Sequence, residues 1–175
     1  PFISVIIPMY NEAAVLEPLF ARLLPVLESI APEWEVLCVN DGSTDGTLAA
    51  LQARAAIEPR IGYLSLSRNF GKEAALTAGL NQARGQAVIP FDADLQDPPE
   101  MIPQMVSLWR EGNKVVLATR RSREGEGWFK CTTAWLFYRL LARVTHIPIP
   151  QNTGDFRLLD RQVVEVLRLL PERTR

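Results

Sequence analysis

Short apolar runs rich in β-branched residues alternate along the chain with longer stretches whose apolar positions recur every three or four residues. The short runs, at residues 3–7, 35–39, 61–66, 87–91 and 115–119, predict strands. Four of the five are almost continuously apolar, as strands covered on both faces must be. The longer stretches, at 14–30, 47–56, 72–84 and 99–111, have the length and spacing of amphipathic helices. Strand and helix repeated in this order predict an α/β fold with a mainly parallel central sheet and helices on both faces.

The punctuation between these segments agrees with the pattern. Ser43, Thr44 and Asp45 offer capping oxygens before the helix at 47. Pro98 and Pro99 suit a first helical turn, and Gly85 is placed to end the helix before the fourth strand. Residues 120–127 are charged and Gly-rich and predict a loop. A helix over 128–145 is expected next, then a Pro-rich link at 147–150, a short strand near 156–159 and a last helix over 161–170.

In an open parallel sheet, ligands bind beyond the carboxyl ends of the strands. The residues expected there are Pro8, Tyr10, Asn11 and Glu12 after the first strand, and Asn40, Asp41 and Gly42 after the second. Ser67, Arg68, Asn69 and Lys72 follow the third; Asp92, Asp94, Gln96 and Asp97 follow the fourth. Polar βα loops also arise from capping alone, so the chemistry must come from the pattern within each loop. The sharpest pattern is 92–97, where an apolar strand runs into three acids within six residues. If extended backbone persists there, Asp92 and Asp94 project to one side. Two carboxylates ~6 Å apart repel by roughly 2–3 kcal/mol at an effective dielectric of ~20, unless a cation lies between them. A hard divalent ion, Mg²⁺ or Mn²⁺, takes oxygen ligands and bridges carboxylates to phosphates. A solvated turn explains Asp97 but not the other two.

These blocks carry a resemblance. Val-Ile-Ile-Pro-Met-Tyr-Asn-Glu at 5–12, Val-Asn-Asp-Gly-Ser-Thr-Asp-Gly-Thr at 39–47 and Asp-Ala-Asp at 92–94 resemble the inverting family-2 glycosyltransferases of the GT-A fold. Arg-Asn-Phe-Gly-Lys-Glu at 68–73, Asp-Ala-Asp-Leu-Gln-Asp-Pro-Pro-Glu at 92–100 and Asn-Thr-Gly-Asp-Phe-Arg-Leu at 152–158 are similar to the polyprenyl-phosphate, dolichol-phosphate-type sugar transferases. The resemblance implies a nucleotide-sugar-binding catalytic domain over 1–175. Its donor would be a UDP-sugar or GDP-sugar and its acceptor a polyprenyl phosphate, with inversion at the anomeric carbon. Pro8, Tyr10, Glu12, Asp41, Lys72 and Asp92 would bind the nucleotide, with Asp41 accepting from the base. Asp92, Asp94 and Gln96 would hold Mg²⁺ or Mn²⁺ on the diphosphate.

On the acceptor side, the resemblance makes Asp155 the catalytic carboxylate, orienting the acceptor or taking its proton. A surface acid paired with Arg157 is the alternative. Arg120, with Lys130 second, would bind the acceptor phosphate; an arginine fork suits phosphate oxygens. Arg121 and Arg123 read equally well as a solvated basic loop. The stretch 43–47 reads as turn and cap chemistry, and His146, the single histidine, has no assigned role.

Bulk properties exclude some classes. The chain has 175 residues, 47% hydrophobic and 22% charged, which argues against disorder and supports a self-sufficient core. Net charge is −1, so no global basic field recruits nucleic acid. Cys38 and Cys131 are far apart, and a reduced cytoplasmic setting is their simpler reading. No apolar run reaches the ~20 residues of a membrane span. The aromatic stretch 128–145 suits both core packing and an interfacial helix at a membrane surface. Together with the resemblance this predicts the cytoplasmic face of a bacterial inner membrane, with a homo-oligomer left open. The chain begins at Pro1 and stops at Arg175, so it reads as part of a longer protein. A saccharide or protein acceptor, and a non-catalytic nucleotide-sugar-binding subunit, are the rival readings.

Overall fold

The computed structural model describes residues 2–119 and 153–169. By internal packing the chain divides into Pro1–Leu117 with Asp155–Arg175, and Ala118–Gly154. The elements that matter below have nearly all their residues in the first of these. They are β1 (Phe2–Met9), α1 (Leu16–Ile30), β2 (Glu33–Asn40), α2 (Thr47–Ile57), β3 (Ile61–Ser65), α3 (Lys72–Gln82) and β4 (Ala87–Pro90). A 3-10 turn (Pro99–Met101), α4 (Ile102–Arg110), β5 (Val115–Thr119), β6 (Thr153–Asp160) and α5 (Arg161–Leu169) complete them.

The strands form one six-stranded sheet in the order β3-β2-β1-β4-β6-β5. β1 pairs parallel with both β2 and β4, and β2 with β3, as the alternation predicts. β6 enters between β4 and β5 and pairs antiparallel with β4, Val88 opposite Leu159. β1, β2 and β4 are buried along nearly their whole length, whereas β3, at the sheet edge, alternates. Cys38 lies in this buried centre, and burial pushes its thiol up to about 12. It is therefore packing, not a nucleophile.

Several expected boundaries move, each for a local reason. α1 starts at Leu16 instead of 14 because residues 12–15 form a turn closed by Val15 N donating to Glu12 O. The expected helix over 99–111 is divided: Pro103 has no N–H to give Pro99, so the first turn tightens to 3-10 before α4. α3 ends at Gln82, three residues before Gly85. Beyond it the backbone extends so that Arg84 N reaches Glu35 and Gly85 N reaches Ser4 Oγ. The strand at β4 stops at Pro90, one residue early, and the last strand, expected at 156–159, runs from Thr153 to Asp160. The expected loop at 120–127 and helix over 128–145 lie outside the described residues.

α3 lies close on the sheet. A Cβ on Gly79 would stand 2.3 Å from Ile6 Cγ2 and 3.2 Å from Val39 Cγ2, so only glycine permits this approach. α5 then locks the far end of α3. Arg161 donates to Gly85 O, and Arg168 to Leu80 O and Ala83 O, giving cations to carbonyls that a helix end leaves unpaired.

Candidate active site

β1, β2, β3 and β4 share one direction, so the loops after β1, β2 and β4 open at one edge of the sheet. With the N-terminus of α3 they enclose a cleft of about 350 Å³. Pro8, Tyr10 and Glu12 line it from β1, Asp41 from β2, and Asp92 and Asp94 from β4. Lys72, the first residue of α3, lines it from the side, with Asn69 and Gly71 before it.

The loop after β1 is built on the 43–47 stretch. Asn11 N donates to Ser43 Oγ (2.9 Å), Glu12 N to Thr47 Oγ1 (2.9 Å), and Thr44 N to Asn11 Oδ1 (2.8 Å). Asp45 caps α2 by accepting from Thr47 N at 2.9 Å. Residues 43–47 are thus scaffold, as their composition predicts.

Asp41 is buried, and both its oxygens hold the loop after β3. Phe70 N donates to Oδ1 and Gly71 N to Oδ2, each at 2.8 Å. The neighbouring Gly42 has φ +66°, and a Cβ there would lie 2.3 Å from the Arg68 carbonyl carbon. The two loops therefore touch backbone to backbone. Each Asp41 oxygen keeps a second lone pair for a ligand.

After β4, Phe91 is buried edge-on against Phe156, centroids 5.4 Å apart, and this fixes the base of the acidic loop. Asp92, Ala93 and Asp94 all line the cleft, so both acids stand on the cleft side although the strand has ended. Leu95 then takes a left-handed φ of +58°, and Gln96 N closes the turn on Asp94 Oδ1 at 3.1 Å. Asn11 (φ +57°) is the other non-glycine in that region among the described residues. Both strained positions thus stand in loops of this cleft, where such strain is typically retained for function. Gln96 itself is exposed and is not among the lining residues.

Negative charge exceeds positive charge here. Lys72 Nζ lies 2.8 Å from each Asp92 oxygen. Glu12 is held above the usual carboxylate range, first by burial and then by the charges of Asp94 and Asp45. Among the described residues no three His, Cys, Asp or Glu side chains gather into a metal cage. The set fits Mg²⁺ or Mn²⁺ nonetheless: both are commonly held by one or two carboxylates with substrate phosphates completing the shell. Asp92 and Asp94 supply such oxygens in a cleft whose excess charge calls for a cation.

Asp155 falls within β6 but its side chain lies outside what the structure describes; Arg120, Lys130 and His146 lie outside the described residues altogether. The engagement of Asp41 with Phe70 N and Gly71 N is the feature that sequence reasoning misses, since backbone donors leave no residue signature.

Residues 4–168 match the family described as glycosyl transferase family 2. The chain belongs to that family. Two of its glycosyltransferase relatives are close. An uncharacterized glycosyltransferase, sll0501, of Synechocystis sp. is 57% identical over 99% of this chain and 54% of its own length. A bactoprenol glucosyl transferase of Shigella phage SfX is 45% identical over 98% of this chain and 56% of its own. The chain thus spans about half the length of these curated relatives. Among solved glycosyltransferase structures, the mannosyltransferase PcManGT from Pyrobaculum calidifontis, in complex with GDP-Man and Mn²⁺, is similar with a TM-score of 0.67. It is 26% identical, covering 94% of this chain and 46% of that one. No helix among the described residues is long and apolar enough to cross a membrane.

Proposed function

We propose that the protein transfers a sugar from a UDP- or GDP-sugar to a polyprenyl phosphate, with inversion and with the help of Mg²⁺ or Mn²⁺, at the cytoplasmic face of a membrane. The observation that carries this reading is the cleft itself, where Asp92 is paired with Lys72 and Asp94 stands beside them in the space also lined by Pro8, Tyr10 and Asp41. The similarity to a bactoprenol glucosyl transferase across nearly the whole chain supports the acceptor class. The GDP-Man and Mn²⁺ of PcManGT support the donor class and the ion.

On this reading Pro8 and Tyr10 pack against the nucleoside, and Asp41 accepts from the base while holding the loop at 70–71. Asp92 and Asp94 from the cleft lining, with Gln96 from the exposed turn beside them, would hold the divalent ion, which would supply positive charge to the departing diphosphate. Lys72, at the N-terminus of α3, contributes its ammonium and the helix end to the same phosphates. Asp155 orients the acceptor, whose phosphate is already ionised near neutral pH and needs little deprotonation. Arg120, with Lys130, offsets repulsion between that phosphate and the diphosphate.

The full-length protein, supplied with labelled UDP- and GDP-sugars, Mn²⁺ and polyprenyl phosphate, is expected to yield a glycolipid. Asp94→Ala is expected to abolish it and to remove Mn²⁺-dependent donor binding in calorimetry. Undiminished, metal-independent donor binding in that variant removes the metal role. Glycosylation of a free saccharide with polyprenyl phosphate ignored replaces the lipid acceptor by a saccharide one.

A further inference from the structure

We infer that Lys72 holds the Asp92 carboxylate until a nucleotide diphosphate arrives, so that the divalent ion enters this cleft with the diphosphate and not ahead of it. The inference rests on Asp92 and Asp94 being the metal ligands, and it adds the order in which the site is filled.

Geometry sets up the competition. Lys72 Nζ sits 2.8 Å from both Asp92 oxygens, and a hard divalent ion needs the same lone pairs. An ion arriving alone must either displace the ammonium or bind beside it against like-charge repulsion. With Asp92 held, Asp94, whose Oδ1 accepts from Gln96 N, and Glu12 are left to an ion in this cleft, a weaker set than one that includes Asp92.

The placing of this lysine conflicts with local helix physics. Lys72 is the first residue of α3, at the positive end of the helix dipole, where acids are favoured and cations disfavoured. Glu73 obeys that preference and Lys72 does not. A local rule broken at a cleft, with nothing gained by the helix, marks a functional position. The base of the side chain is fixed, because the preceding Phe70 N and Gly71 N are both bound to Asp41. Its tip is reachable from solvent: the side chain is 41% exposed, on a four-carbon stem with several rotatable bonds.

A diphosphate changes the balance. It brings negative charge to the N-terminus of α3, where the ammonium and the helix end both attract it. Once the ammonium turns to phosphate, the Asp92 oxygens are released to the ion, which the phosphates also bind. Ion and diphosphate therefore strengthen each other's binding by one and the same factor.

The test is Mn²⁺ affinity, read by electron paramagnetic resonance of the free ion, with no nucleotide and then with UDP or GDP. The parent protein is expected to bind Mn²⁺ weakly alone and more tightly with one of the two diphosphates. Lys72→Met is expected to raise nucleotide-free Mn²⁺ affinity by about tenfold, the effect of removing one unit charge a few ångströms from the ion in a half-exposed site. The gain conferred by the diphosphate shrinks in parallel. Lys72→Arg keeps the charge and should stay near the parent. If Lys72→Met leaves nucleotide-free affinity unchanged or lower while a diphosphate still recruits Mn²⁺, the inference is overturned and Asp92 and Asp94 remain ligands. If parent and variants take up no Mn²⁺ even with UDP and GDP, the metal reading falls and the inference with it.

Discussion

Replacing Asp41 by asparagine exchanges one hydrogen-bond acceptor for a donor, and the loop after β3 depends on both acceptors. Phe70 N and Gly71 N each lose or keep a partner according to which way the amide turns, and one N–H is left facing an N–H₂. Leaving such a donor unsatisfied costs about 1–3 kcal/mol. For a chain of this size that lowers the melting temperature by roughly 2–10 °C. Asp41→Asn is therefore expected to melt earlier with no ligand present, in a calorimetric scan, besides binding donor more weakly. An unchanged melting temperature would reduce Asp41 to a ligand contact alone. At this scale much of the cleft is legible from sequence. Pro8, Tyr10, Glu12, Asp92 and Asp94 follow from asking which polar residues stand at the carboxyl ends of apolar runs. The structural half of Asp41 does not follow, because its partners are main-chain groups 29 and 30 residues away.

Elements are legible where one segment carries the whole signal. β1, β2 and β4 announce themselves as apolar runs, and α4 by its strong amphipathic period. The insertion of β6 beside β4 is invisible in sequence, since pairing Val88 with Leu159 is a contact across the chain and not a local preference. α3 is another instance: its small residues Ala75 and Gly79 weaken the periodic pattern because the sheet is too near for larger ones. Gly79→Ala sets two effects against each other. The helix gains up to ~1 kcal/mol of propensity, but overpacking typically costs about 1–3 kcal/mol. Here the clash is with Ile6 Cγ2, a β-branched methyl that is wholly buried and has no room to turn. Gly79→Ala is accordingly expected to be destabilised in urea titration. Ile6→Leu, which removes that methyl, should recover part of the loss. A Gly79→Ala protein more stable than the parent would mean that α3 rides further from the sheet.

For the whole molecule, pH dependence of stability tests which buried charges are structural. Near the amino ends of β1 and β2, away from the cleft, Glu35 accepts from Ser4 Oγ (2.6 Å), Arg84 N (2.8 Å) and the Arg84 guanidinium (2.8 Å). Burial alone raises the Glu35 carboxyl, but these hydrogen bonds and the adjacent charge outweigh it and leave it lowered. Asp160 is likewise lowered: burial opposes, and bonds from Trp109 Nε1, Gln162 N and Lys114 prevail. A carboxyl lowered on folding stabilises above its unfolded value, and that contribution is lost as pH falls through the folded value. Glu12 has the opposite sign: raised on folding, it costs stability as pH rises through its range, until a cation balances the cleft. Asp45, Glu58 and Glu100 are lowered as well, so five lowered carboxyls stand against Glu12 among the described residues; the net slope is positive, with stability falling from about pH 5 toward pH 3. Glu35→Gln should therefore be less stable than the parent at pH 7, yet lose less on acidification, so that the two melting curves converge near pH 3. Mn²⁺ with a nucleotide diphosphate should raise the melting temperature at pH 7, since a ligand that binds the folded state stabilises it. Parallel curves for Glu35→Gln and parent across that range would assign the acid sensitivity to carboxyls other than Glu35.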